Sequence, residues 1–213
     1  TPLALILGWA EQLQQDPALP EEARSKAGRI CGQSERISAL IEDLNLTSKL
    51  QYGAQPLRCK PLNAGSLLRR IAAKCCESLL ADRCELALHQ TPEAEQAVLN
   101  VDEALLRRAV ENLLNNSVRH NTAPVHISLR ARTAGQTFVL TVADDGKGYP
   151  PQVLRALYAE GQEANAPHIL GLHVVEQILQ AHGGSAAFAQ NIPKGARAIL
   201  TLPLYVEAEK SDS

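Results

Sequence analysis

The chain has 213 residues, a formal net charge of −2, 45% hydrophobic residues and only 3% aromatic ones. That charge gives no electrostatic case for a nucleic-acid or anionic-membrane partner, and no apolar run approaches the roughly 20 residues that cross a bilayer. The scarcity of aromatics means a core built from Leu, Ile, Val and Ala. The five cysteines, Cys31, Cys59, Cys75, Cys76 and Cys84, are odd in number and form no CxxC pair. Neither a disulfide framework nor a zinc site is supported, and the thiols read as small buried apolar groups in a reducing compartment. No charged-then-apolar signal peptide opens the chain.

Thr1 to about Gln15 reads as a helix, with apolar residues at Leu3, Ile6, Ala10 and Leu13, and Asp16-Pro17-Ala18-Leu19-Pro20 breaks it. A second helix runs from about Glu21 to Tyr52. Its inner positions, Ala23, Ala27, Ile30, Ser34, Ile37, Ile41, Leu44 and Ser48, alternate spacings of four and three, which is a heptad seam. Two antiparallel helices bury one face each. Dimerisation into a four-helix bundle would supply the missing partners; the alternative is an intramolecular pair packed on the rest of the chain.

Gly53-Ala54-Gln55-Pro56 reads as a linker, after which strands and helices alternate. A short strand is expected at Leu57 to Pro61, a helix capped by Asn63 and running to about Asp82, and strands at Cys84 to His89 and Ala97 to Val101. Asp102 caps the next helix. Val125 to Ala131 and Phe138 to Val142 alternate apolar with polar residues around Ala134-Gly135, the pattern of a hairpin. An irregular stretch covers about Gly148 to Leu170. A helix follows over Gly171 to His182, closed by Gly183-Gly184, then strands at about Ser185 to Gln190 and Ala196 to Leu204, and a polar tail. The expected class is α+β: a helical hairpin over residues 1–53, then an α/β sandwich over 57–206 with one mixed sheet and helices on one face.

Three stretches carry chemistry. On the helix after Asp102, Asn112 and Asn116 lie one turn apart beside an apolar stripe of Leu106, Ala109, Val110, Leu113 and Ser117. Amide oxygens there can ligate a hard cation such as Mg²⁺, and Arg119 lies near the same face; the alternative is a solvated polar face. Asp144-Asp145-Gly146-Lys147-Gly148 follows a strand. A carboxylate at a strand end can accept the exocyclic amine of adenine, a hydrogen bond worth about 1.5–3 kcal/mol, and glycines let backbone approach a planar ring; an ordinary acidic turn is the competing reading. Third, Gly171-Leu172 at a helix start can present N–H groups to phosphate.

In combination these stretches resemble one family. Asn112-xxx-Asn116, Asp144-x-Gly146-x-Gly148, Gly171-Leu172 and Gly195-Ala196 are similar to the N, G1, G2 and last-glycine boxes of the catalytic ATP-binding domain of bacterial sensor histidine kinases. That domain belongs to the superfamily shared with Hsp90 chaperones, type II topoisomerases and MutL. Thr1-Pro2-Leu3 with its helical hairpin resembles the dimerisation and phosphoacceptor domain of the same kinases. The resemblance implies ATP and Mg²⁺ as ligands, a homodimer, and a response-regulator receiver domain as partner. It implies a cytoplasmic kinase core joined to the membrane only through an upstream sensor region. It makes Asn116 the Mg²⁺ ligand, puts Asn112 beside metal and phosphates, and has Asp144 bind adenine with Gly146 and Gly148 shaping the purine pocket. Arg119 and His120 become nucleotide contacts, and Tyr149 to Leu170 the ATP lid. Chaperone and topoisomerase members carry a glutamate where Asn112 stands, so the asparagine suits transfer to histidine over hydrolysis.

The sequence also departs from that family. The phosphoacceptor histidine, four residues before the threonine of its motif, would precede Thr1, and all six histidines lie beyond residue 53. The chain as given is therefore expected not to carry its own phosphate. Thr1 matches the position that orients water in members with phosphatase activity; a helix-surface threonine is the plain alternative. Pro167-His168-Ile169-Leu170 stands where further G2 glycines are usual, the lid is short, and Tyr158 is the candidate for its missing aromatic. These departures keep a second reading open, a non-catalytic nucleotide-sensing module that engages a regulator through the helical bundle.

Overall fold

The computed structural model describes residues 2–77, 84–121, 124–158 and 169–206. They fall into two compact units, Thr1–Ser48 and Lys49–Ser213.

The first unit holds α1 (Pro2–Gln15) and most of α2 (Glu21–Gln51). The break between them is built by Asp16, whose Oδ1 accepts the Ala18 amide at 2.9 Å while Pro20 opens the next helix. The expected seam divides in two. Ala27 and Ser34 are buried together with Ala10 and Cys31, but Ile30, Ile37, Ile41 and Leu44 are exposed, as are Leu5, Ile6, Trp9 and Leu13 of α1. The hairpin thus buries mostly small residues internally and presents its large apolar ones outward.

The second unit contains β1 (Lys60–Asn63), α3 (Ala64–Glu77), β2 (Cys84–Gln90), α4 (Pro92–Gln96), β3 (Val98–Val101), α5 (Glu103–Arg119), β4 (Val125–Ala134), β5 (Thr137–Asp144), α6 (Pro151–Leu157), α7 (Leu170–Ala181), β6 (Ser185–Gln190) and β7 (Ala196–Pro203). The main sheet has the order β2-β4-β5-β7-β6, with β2 parallel to β4 and every other pair antiparallel. Alternation does the sorting expected of a half-buried sheet. Ile127, Leu129 and Ala131 of β4, Phe138, Leu140 and Val142 of β5, and Ala198, Leu200 and Leu202 of β7 are buried. Leu67 and Leu68 of α3 and Leu106 of α5 close over Phe138, Leu140 and Leu200. The opposite face carries Ser128, Arg130, Thr141 and Arg197.

Five expectations need correction. The sandwich has a second sheet, the two-stranded ribbon of β1 and β3, paired from Lys60↔Val101 to Asn63↔Val98. The first strand therefore begins at Lys60, not Leu57, because the Arg58 amide is taken by the Asp102 carboxylate at 3.0 Å instead of a ladder carbonyl. A one-turn helix, α4, is nucleated by Thr91, whose hydroxyl accepts the Ala94 amide, with Pro92 in the first turn. The expected irregular stretch contains α6, where Pro150-Pro151 starts a helix in place of ending one; residues 159–168 lie outside the described residues. Two of the thiols, Cys31 and Cys75, are buried as expected, whereas Cys59 is exposed; the Cys76 side chain is outside the description.

The caps follow the sequence. Asn63 Oδ1 accepts the Ser66 amide at the start of α3, and Asp102 Oδ1 accepts the amides of Ala104 and Leu105 at the start of α5. At the far end of α7, Gly183 (φ +71°) lets the chain reverse, and the Gly184 amide returns to the Leu179 carbonyl. His182, buried beside it, donates from Nδ1 to the Ile178 carbonyl at 2.7 Å and accepts the Asp102 amide on Nε2 at 3.0 Å. This neutral tautomer fastens the end of α7 to the start of α5 and so sets the distance between the two helices that flank the site.

Candidate functional site

Between α5, the loop after β5, α6 and the start of α7 lies a cavity of about 340 Å³. Asn116, Ser117, His120 and Asn121 line it from α5 and its C-terminal end, Asp144, Lys147, Gly148 and Tyr149 from the β5 loop, Gln152 and Val153 from α6, Leu172 from α7, and Ala196 from β7. Five sequence-predicted residues are thus brought to one cavity: Asn116, His120, Asp144, Gly148 and Leu172. Asn112 stands one turn back, its Nδ2 donating to the Gly171 carbonyl at 3.4 Å, so that it joins α5 to α7. A Cβ on Gly171 would lie 3.8 Å from Asn116 Nδ2, so the first turn of α7 passes directly over that amide. Arg119 is exposed and does not line the cavity. Thr1 lies outside the described residues.

Asp144 is the best-anchored group. It is 3% exposed. Oδ1 accepts the Gly146 amide at 2.9 Å and the Ala196 amide at 3.0 Å, and Oδ2 accepts the Ser117 hydroxyl at 2.7 Å. Three donors from three segments thus fill three of the roughly four lone-pair positions that a carboxylate offers. The backbone is held as well, since Asn191 Nδ2 donates to the Asp144 carbonyl at 2.8 Å. Gly195 (φ +106°) passes so close that an added Cβ would sit 1.8 Å from that carbonyl. The pairing of the two boxes is therefore steric as well as electrostatic.

The glycines after Asp144 are also required by packing. A Cβ on Gly146 would strike the Asn121 amide at 2.3 Å, and one on Gly148 (φ +77°) would strike Gln190 at 2.1 Å. Their smallness is consumed by the protein's own packing. Asn121 Nδ2 donates to the Ser117 carbonyl at 2.7 Å, and its Oδ1 accepts the Lys147 amide at 3.0 Å, clamping the loop onto the end of α5. Gln190 likewise grips both backbone groups of Tyr149.

Tyr149 meets Phe188 edge-to-face, with ring centroids 6.2 Å apart. Burial, and then the nearby Asp144 charge and Tyr158, hold its hydroxyl well above the ordinary tyrosine range. Tyr158, the expected aromatic of the lid region, is 64% exposed, but its hydroxyl accepts the Phe188 amide at 3.0 Å and donates to the Phe188 carbonyl at 2.8 Å, capping the free edge of β6. Asp145 points elsewhere: it binds the amide and ring of His126, and these bonds hold its carboxyl below the usual range, the backbone hydrogen bond most strongly.

Sequence reasoning missed Ser117, Asn121, Gln190 and Asn191. Only Ser117 left a signal, a hydroxyl on an otherwise apolar helix stripe, which must find a partner once buried. Among the described residues no cluster of three or more His, Cys, Asp or Glu is arranged around a metal position. The Asn116 amide oxygen at the cavity wall fits a hard cation that takes most of its ligands from phosphate and water.

Residues 1–53 match the His Kinase A (phospho-acceptor) domain, and residues 101–206 match the family described as Histidine kinase-, DNA gyrase B-, and HSP90-like ATPase. The chain belongs to the sensor histidine kinases. Sensor histidine kinase YvrG of Bacillus subtilis is 28% identical over 193 residues, covering 87% of this chain and 33% of that protein. The probable sensor histidine kinase TcrY of Mycobacterium tuberculosis is 29% identical over 211 residues, 96% of this chain and 43% of that one. The chain thus spans well under half the length of these curated relatives. Among solved structures, full-length ShkA in complex with AMPPNP aligns with a TM-score of 0.72 at 26% identity, over 97% of this chain and 44% of that one. The Acinetobacter baumannii histidine kinase AdeS aligns at 0.68 over 96% of both chains; at 19% identity it speaks for the fold alone. No described helix of this histidine kinase segment is long and apolar enough to cross a membrane.

Proposed function

We propose that this chain is the kinase core of its histidine kinase: it binds ATP with Mg²⁺ and passes the γ-phosphoryl to a histidine beside α1, for relay to an aspartate on a response-regulator receiver domain. Residues 1–53 serve as the dimerisation and phosphoacceptor domain and 57–206 as the nucleotide domain, with Gly53 to Pro56 as the hinge that lets one reach the other. The reading rests above all on Asp144. A buried carboxylate with three of its acceptor positions filled and one left over is a selective receptor for an amine such as that of adenine. Guanine offers a carbonyl there and would be repelled.

Asn116 would hold the Mg²⁺, which when bound would neutralise phosphate charge. His120, Lys147 and Leu172 line the same cavity and would contact the bound nucleotide. Gly171 brings the first turn of α7 to the phosphates, with Asn112 holding it there. As a neutral amide, Asn112 withdraws no proton from water, which favours transfer over hydrolysis. Catalysis then comes from positioning and charge neutralisation. Arg119, being exposed, reaches phosphate only by swinging inward. Thr1 orients the water that dephosphorylates the response-regulator aspartate in a separate phosphatase step. The large apolar face of the hairpin packs against a second copy.

The test is a titration with an ATP analogue and Mg²⁺. Saturable binding below millimolar, weakened about tenfold or more in Asp144→Asn and absent for the GTP analogue, is expected. No binding up to millimolar overturns the proposal. On transfer, the 213-residue chain incubated with radiolabelled ATP is expected to hold no acid-labile phosphate, because none of its histidines lies in residues 1–53, and a chain given a histidine four residues before Thr1 to hold it.

A further inference from the structure

The face of the main sheet away from the helices carries a second concavity, of about 540 Å³, which shares none of the nucleotide cavity's lining and meets the site above only through Asn191. The register brings its residues together. His89 of β2 pairs with Arg130 of β4, which pairs with Thr141 of β5. In the next row, Ser128 pairs with Ala143, which pairs with Arg197 of β7. Arg132, Gln90 and the Asn191-Ile192 turn complete the walls.

The chemistry of this lining is one-sided. Arg130, Arg132 and Arg197 supply three permanent positive charges, and among the described residues no aspartate or glutamate lines the concavity. The two acidic residues nearest in register, Glu85 and Asp145, are occupied with His126. Among the described residues none of the three arginines is in an ion pair. Two donors are in deficit: Arg197 Nε and Gln90 Nε2 are shut off from solvent without a hydrogen-bond partner. A shielded donor left unpaired is destabilising. Three guanidinium groups held within one small concavity also repel one another. An acceptor-rich anion matched to guanidinium forks relieves that repulsion.

We propose that this concavity is a binding site for a small polyvalent oxyanion of the polyphosphate or polycarboxylate class, independent of the nucleotide cavity. Its walls lie on rigid strands, and β5 runs from it directly into Asp144, so occupancy on one face adjoins the anchor of the other.

The experiment is a heteronuclear NMR titration of the whole 213-residue chain with tripolyphosphate, without Mg²⁺, at fixed ionic strength, then with citrate. Saturable shifts at the Ser128, Arg130 and Thr141 amides are expected, weakened about tenfold in Arg130→Gln and further in Arg130→Gln/Arg197→Gln, and unchanged in Asp144→Asn. Arg130 is exposed, so its substitution tests the charge without endangering the fold. Citrate binding as well as tripolyphosphate marks general oxyanion recognition, and tripolyphosphate alone marks phosphate; either supports the proposal. Shifts confined to Gly146 and Gly148, non-saturating shifts that sodium chloride reproduces, or tighter binding of an acidic peptide than of either small anion would overturn it.

Discussion

The helical hairpin and the sandwich solve the problem of burying apolar surface in opposite ways. The sandwich closes its own core: Leu67, Ile71, Leu129, Ile178, Leu179 and Leu200 are each no more than 2% exposed. The hairpin buries Ala10, Ala27, Cys31, Ser34 and Leu46, while Trp9, Ile37, Ile41 and Leu44 stay between 47% and 61% exposed. One region is finished as a single chain. The other has a well-formed seam whose larger half faces outward, so its stability depends on what covers that face. The difference teaches that a regular heptad specifies an interface, without saying within which molecule it is made.

The largest expected effect tests the finished region. Ile178→Ala removes a wholly buried side chain under the sheet and should cost about 2–5 kcal/mol, read from denaturant unfolding. A loss below about 1 kcal/mol would mean the sandwich core is looser than its burial implies. Next, Gly195→Ala forces a side chain into left-handed backbone and against the Asp144 carbonyl. It should cost about 1–3 kcal/mol and weaken nucleotide binding together with it; unchanged binding would separate the last glycine from the carboxylate it packs on.

The unfinished region should respond differently. Ile37→Ala should shift unfolding of the dilute chain by less than about 1 kcal/mol, since the residue is already 47% exposed, yet raise the concentration at which the chain self-associates. Trp9, the single tryptophan, reports this directly: its emission should move to shorter wavelength as protein concentration rises. Concentration-independent emission would remove the comparison's premise. The smallest effect concerns Asp145, whose carboxyl is held low by its bonds to His126. A lowered folded-state pKa stabilises above the unfolded value and ceases to do so as pH falls through the folded one. The advantage of the wild type over Asp145→Asn should therefore be full above about pH 4 and vanish in stronger acid. Because the Asp145 side chain is 44% exposed, it should stay under about 1 kcal/mol and shrink with salt.

Much of the architecture was legible in residue order. The caps at Asn63 and Asp102, the β4–β5 hairpin, and α7 with its Gly183-Gly184 stop follow from local chemistry, and local chemistry is what a short window of sequence contains. The misses share one cause. Leu57 to Cys59 look like strand until Asp102, forty-four residues away from Arg58, takes the amide that a ladder would use. Pro150-Pro151 looks like a breaker unless the segment is free to start a helix there. Asn121, Gln190 and Asn191 are ordinary polar residues at the ends of elements, and each binds backbone from a segment at least 26 residues away, so nothing nearby in sequence announces the partner.

Residue order by itself marked Asn112, Asn116, Asp144 and the glycines around them as the candidate site, because their types and spacings suit one task. Tertiary structure alone decided how each is used. It set Arg119 outside the cavity and made Asn112 a link between helices. It turned the glycines after Asp144 into packing necessities, and it added Ser117 and Ala196 as the donors that hold the carboxylate. The physical reason is that periodicity and capping act over a few residues, whereas a buried carboxylate is satisfied by donors from wherever the chain returns, and that return exists only once the sheet has formed.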